Sequence, residues 1–163
     1  MTICNKLQKY KPLMQGVIRN SKSLGVELGM LFCQDEKGKI TPSMVCMGDE
    51  CSIEKLHDCK DKAEIGSFHT HPGSLKVSGE DIDFTLSYGH KFLCIGDWNG
   101  ERIKCYDLSD LPWDKRKKIH REAQELKLLQ QIVELTQRRH AEYREKFEEF
   151  NKKLDKLANT CEL

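Results

Sequence analysis

All 11 glycines and all four prolines of this 163-residue chain fall at or before Pro112, and that uneven punctuation constrains the fold more than any other feature. Turns, left-handed backbone positions and helix stops draw on these two residues. Residues 1–112 can therefore fold as a series of short elements, whereas nothing from Asp114 to Leu163 interrupts a helix. Within that stretch Ile119, Leu126, Val133, His140, Phe147, Leu154 and Cys161 recur every seventh residue, with Leu129, Thr136, Tyr143, Phe150 and Leu157 offset by three. This is the a/d seam of a heptad pattern. As one straight helix the segment would span roughly 75 Å at about 1.5 Å per residue, far beyond a small domain. It is expected to pair with another chain, to bend back on itself, or to pack on the sheet of its own chain. Leu128, Ile132 and Leu135 widen its apolar face near the middle. The expected organisation is a domain over residues 1–112 and a long C-terminal helical extension over 113–163. The extension would serve substrate docking or assembly, as a homo- or hetero-oligomer through residues 114–163, and supply no chemical group.

The punctuated part alternates between periods. Leu7, Tyr10, Met14, Val17 and Ile18 stand at helical intervals until Asn20–Gly25 breaks them, which predicts an amphipathic helix packed on a sheet. Val26–Cys33 reads as a buried strand, Gln34–Lys39 as a hairpin turn with Gly38 free to take a positive φ, and Ile40–Met47 as the returning strand. Residues 48–62 are polar and predict a loop with a helical turn near Ser52–His57. Further on come a helix over Glu80–Ser87, stopped by Gly89, and two strands, Lys91–Trp98 and Arg102–Tyr106, joined by the hairpin dipeptide Asn99-Gly100. Helices interleaved with strands predict a mixed α/β layered domain.

Chemistry concentrates in Ser67-Phe68-His69-Thr70-His71-Pro72 and in Ser78-Gly79-Glu80-Asp81. If the first stretch is a strand, His69 and His71 project from the same face, because side chains alternate with a period of two. Pro72-Gly73 signals a turn, and Ser78 followed by acids signals a helix start. Strand, turn and helix N-terminus would bring Asp81 back over the two imidazoles. Two histidines and a carboxylate are a zinc donor set, with the fourth position left to water. Ser78-x-x-Asp81 is equally a helix-capping arrangement that needs no metal. Upstream, Glu27 is the one acid in an apolar strand. It is either an edge charge paired with a lysine or a proton acceptor beside a metal.

Taken together, Glu27-Leu28-Gly29-Met30-Leu31, His69-Thr70-His71-Pro72 and Ser78-Gly79-Glu80-Asp81 resemble the signature of the JAMM (MPN+) zinc metalloprotease family. That family includes isopeptidases acting on ubiquitin and ubiquitin-like proteins, with archaeal and bacterial relatives. The resemblance covers roughly residues 20 to 110. Six residues separate His71 from Ser78, one fewer than is usual in the family, a difference a loop can absorb. The resemblance implies a mixed sheet flanked by helices, with JAMM/MPN-like, cytidine-deaminase-like layering. It implies one Zn²⁺ per chain on His69, His71 and Asp81, with Glu27 as the proton acceptor and Ser78 as the donor to a developing oxyanion. The substrates it implies are ubiquitin-like protein conjugates cleaved at isopeptide or peptide bonds. Related domains that lack the metal residues act as scaffold subunits, so a non-enzymatic scaffold assembling through its C-terminal helices is the alternative expectation.

Charged residues make up 33% of the chain yet nearly cancel, at a formal net charge of +1, which argues against nucleic acid or anionic membrane as a partner. The basic run Lys115-Arg116-Lys117-Lys118 reads as a solvated helix face. Met1–Lys6 opens no charged-then-apolar leader, and no apolar run approaches the roughly 20 residues of a membrane span. A cytoplasmic, intracellular location is therefore expected. In that setting disulfides among the eight cysteines are rare outside hyperthermophiles, and Cys33, Cys46, Cys94 and Cys105 are expected as small core side chains. None forms a Cys-x-x-Cys pair, and His57 with Cys51 and Cys59 fits no standard metal spacing.

Overall fold

A computed structural model of the chain describes residues 2–47 and 59–163. Of the loop expected over residues 48–62, the part from 48 to 58, with the helical turn near Ser52–His57, lies outside the described residues. In chain order the elements are α1 (Ile3–Leu7), a single 3₁₀ turn, α2 (Lys11–Leu24), β1 (Leu28–Gln34), β2 (Ile40–Met47), β3 (Ala63–His71), α3 (Gly79–Ser87), β4 (Phe92–Asp97), β5 (Ile103–Asp107), α4 (Trp113–Thr136), α5 (His140–Leu157) and β6 (Asn159–Glu162).

The six strands form one mixed sheet in the order β2-β1-β3-β4-β5-β6. Strands β3 and β4 run parallel and the other neighbours are antiparallel. A parallel pair needs a crossover, and α3 supplies it. Period-two alternation sends side chains to two separate cores. On one face Met30, Phe32, Phe68 and Cys94 meet Leu7, Met14, Val17 and Ile18 of the N-terminal helices. On the other, Leu93, Ile95 and Tyr106 meet Ile82 of α3, Ile119 and Leu126 of α4, and Phe150 and Leu154 of α5. Each such fully buried side chain contributes about 1.5–3 kcal/mol relative to its exposed state. The sheet is thus the middle of three layers.

Helix α2 runs four residues beyond the expected break at Asn20. It stops at Gly25, whose φ of +68° lets its N–H cap the carbonyls of Lys22 and Ser21. Past Pro112 the heptad seam is not one helix. Gln137 and Arg139 take left-handed φ values of 57° and 68°, so α4 and α5 fold back on each other, and the seam positions Thr136 and His140 at the bend are exposed. Within the same segment Asn159–Glu162, expected to be helical, is instead an edge strand paired with β5. The C-terminal residues thereby share their core with the sheet.

Cys33, Cys94 and Cys105, expected as small core side chains, are disulfide-bonded: Cys4 pairs with Cys161, Cys33 with Cys59, and Cys94 with Cys105, at Cα separations of 6.4, 5.5 and 4.0 Å. Cys46 is disulfide-bonded too. Strand register explains one pair directly, because Cys94 and Cys105 stand opposite each other on β4 and β5. No described helix is long and apolar enough to cross a membrane.

Candidate metal centre

Strand β3 carries both histidines, and alternation sets Ser67, His69 and His71 on the face turned toward α3, α4 and α5 while Phe68 and Thr70 turn the other way. Thr70 anchors that opposite face. Its Oγ1 accepts from the Leu28 N–H at 2.9 Å and lies 2.5 Å from the Ser21 hydroxyl. Ser21 in turn bonds the Val26 carbonyl and accepts from the Trp98 indole N–H. The end of α2 is thereby stitched to the entry of β1.

Glu27 sits just before β1 rather than inside it. The antiparallel register pairs Gly29 with His69, and continuing it by two residues sets Glu27 opposite His71. Glu27 is exposed and lines the same cavity as the histidines.

Asp81 arrives from the other side on the first turn of α3. Ser78 is the N-cap, and a capping box is complete: the Ser78 hydroxyl accepts from the Asp81 N–H at 3.1 Å, and Asp81 Oδ2 accepts from the Ser78 N–H at 2.8 Å. Capping and ligand placement therefore coexist. The cap occupies Oδ2 and turns Oδ1 toward His69. Gly79 lets this helix end approach α4, since a Cβ there would lie 2.4 Å from the Ala123 carbonyl oxygen.

One ligand atom each from His69, His71 and Asp81 lies within 4.8 Å of the others. His69 Nε2 is 2.8 Å from Asp81 Oδ1, and His71 Nε2 is 3.4 Å from Asp81 Oδ2. Ligands at about 2.0–2.1 Å on a tetrahedral ion stand roughly 3.3 Å apart, so a small opening between His69 and Asp81 admits zinc. One atom of the group points the same way. His69 Nε2 is buried and meets the Asp81 carboxylate at 2.8 Å without completing a hydrogen bond. A cation bound between the two would give both atoms a partner. The donor set and its geometry fit zinc.

Electrostatics couple the three. Burial alone would raise the Asp81 carboxyl, but the His69 and His71 imidazoles outweigh it and hold it well below the usual carboxylate range. Burial would likewise lower His71, but hydrogen bonding and charge from Asp81, then the charge of Glu27, raise it.

These residues form the floor of a cavity of about 430 Å³, with Met30, Phe84, Tyr143 and Phe147 as its apolar wall. Tyr143 and Phe147 stack at 5.9 Å between ring centroids. The C-terminal segment, expected to supply no chemical group, thus contributes part of the wall. All five site residues singled out in the sequence line this one cavity. Sequence reasoning missed Ser67, whose buried hydroxyl has no hydrogen-bond partner, although its place two residues before His69 was a usable signal. No protein-family model matches the chain, and no curated protein sequence matches it either.

Proposed function

We propose that the chain is a zinc-dependent peptidase or isopeptidase of JAMM (MPN+) type, with one zinc per chain held by His69, His71 and Asp81. The observation that carries this reading is the convergence of those three ligand atoms, with a buried His69 Nε2 that completes no hydrogen bond and with Glu27 and Ser78 on the same cavity. Zinc bound there would lower the pKa of a coordinated water from about 15.7 to about 7 and polarise a scissile carbonyl.

The chain's own residues do the rest. Glu27, exposed at the rim opposite His71, accepts a proton from the attacking water and returns it to the leaving amine. Ser78 already accepts from the Asp81 N–H, so its hydroxyl hydrogen remains free to be donated to a developing oxyanion, worth about 2.7–4 kcal/mol for comparable donors. The apolar wall excludes water from one side of the reaction. Ubiquitin-like conjugates are the proposed substrates, and the mixed sheet between helical layers is compatible with JAMM/MPN-like layering. The proposed location is cytoplasmic. With the cysteines paired, that requires a cytosol in which disulfides persist, as in hyperthermophiles.

One observation favours the alternative of a scaffold subunit: Leu128 and Leu135 on α4, which widen the apolar face beside the seam, are 58% and 85% exposed, as residues awaiting a partner chain would be. Zinc analysis decides between the two readings. The purified protein should hold close to one zinc per chain, and His69→Ala or Asp81→Ala should lose it and, with it, cleavage of ubiquitin-like conjugates. Equal zinc content in the wild type and both variants would remove the enzyme reading.

A further inference from the structure

Helix α5 reaches into the loop between His71 and Ser78 through one side chain. Asn151 is 5% exposed. Its Oδ1 accepts from the Val77 N–H at 2.9 Å, and its Nδ2 donates to the Val77 carbonyl at 3.0 Å and to the Phe147 carbonyl at 3.0 Å. The amide mimics a strand partner and saturates both backbone groups of a fully buried residue. The Val77 carbonyl belongs to the same planar peptide unit as the Ser78 N–H, and that N–H is the one bonded to Asp81 Oδ2. One peptide plane therefore carries Asn151 on its oxygen and the Asp81 carboxylate on its nitrogen. Accepting a bond at the oxygen polarises the N–H, and the plane's rigidity fixes its direction.

We propose that Asn151 is a positioning residue for the metal centre. It clamps Val77 so that the Ser78 N–H engages Asp81 Oδ2 and leaves Oδ1 for the metal. This rests on the zinc reading above. It makes the C-terminal helix part of the site's alignment, and a segment 74 residues away in sequence sets the affinity for the ion. Outer partners that orient metal ligands typically govern 10- to 100-fold of metal affinity.

The test is Co²⁺ titration of the full-length apoprotein, followed by zinc competition, on three variants. Asn151→Leu fills the volume without polar atoms. Asn151→Asp keeps the acceptor for the Val77 N–H but loses the donor to the Val77 carbonyl, which isolates the bond that leads to Asp81. Lys104→Met removes a different tie of α5 to the sheet, the ion pair with Asp155 at 2.8 Å. Both Asn151 variants should bind Co²⁺ about 10- to 100-fold more weakly with an altered visible spectrum, and Lys104→Met should stay within threefold of wild type. A purely architectural Asn151 would lower the melting temperature while leaving the affinity and spectrum of the folded protein unchanged. If Asn151→Leu does not fold, Asn151→Asp decides. Wild-type-like Co²⁺ affinity in the folded Asp variant overturns the inference. A wild-type protein that takes up no Co²⁺ overturns the metal centre itself, and the inference with it.

Discussion

A single methyl group at position 79 should part the two helices that frame the candidate site. A Cβ on Gly79 would lie 2.4 Å from the Ala123 carbonyl oxygen, 2.7 Å from the Lys127 nitrogen and 3.1 Å from Leu126 Cβ. The first two are backbone atoms of α4 at i and i−4 spacing, donor and acceptor of its ladder, so neither can swing aside as a side-chain tip could. Restoring ordinary contact, which begins near 3.4 Å, moves α3 from α4 by about 1 Å. Two effects oppose each other. Alanine is the better helix former by up to about 1 kcal/mol, whereas overpacking a closed interface costs about 1–3 kcal/mol, and the second should win by about 1–2 kcal/mol. The same displacement carries Asp81, two residues further on, away from His69. A misplacement of about 1 Å can cost roughly 100-fold in rate. Urea denaturation of the apoprotein reads the first effect, and Co²⁺ titration with turnover reads the second. Gly16→Ala is the control, since a Cβ there meets nothing within 4 Å and the change should be neutral or stabilising. If Gly79→Ala matches wild type in urea midpoint and metal affinity, the close approach of α3 to α4 is wrong.

Glu27→Gln should keep fold and zinc while losing most of the turnover, because an amide accepts no proton; a variant of wild-type rate would place the base elsewhere. In the apoprotein the raised pKa of His71 makes its stabilising contribution fully present below the unfolded value of about 6.5 and lost as pH rises through the folded value. The urea midpoint should therefore fall across that window and flatten in His71→Ala, while zinc affinity rises over the same interval as the proton leaves. A midpoint that climbs through the window would contradict the coupling to Asp81.

The site was legible because strands and helix starts are local. Period two fixes His69 and His71 to one face, and Ser78-x-x-Asp81 caps a helix whether or not a metal is near. Glu27 could be assigned to the edge of an apolar strand, but only the β1–β3 register sets it opposite His71. The bend after Thr136 left a weaker trace. Without glycine or proline, two non-glycine residues carry the left-handed backbone, and the only hint was the polar pair Thr136 and His140 on the seam. Strand β6 was hidden because Asn159–Glu162 is an exposed edge with no apolar alternation of its own. Asn151 had a faint signal, a polar residue ringed at helical spacing by Phe147, Phe150 and Leu154. Its partner Val77 is a matter of tertiary packing. Cysteine pairing was beyond reach for the same reason, since spacing says nothing of which strands lie side by side.

The Cys4–Cys161 bond joins residues 157 positions apart and closes a long covalent loop, with Cys33–Cys59 and Cys94–Cys105 closing smaller loops inside it. In the chain-entropy account a closure of that length removes about 5 kcal/mol of conformational freedom from the unfolded state. Fluctuations that would peel α1 or β6 from the edges of the fold are likewise confined, because each tethers the other. Reducing that one bond should therefore loosen both ends of the fold together.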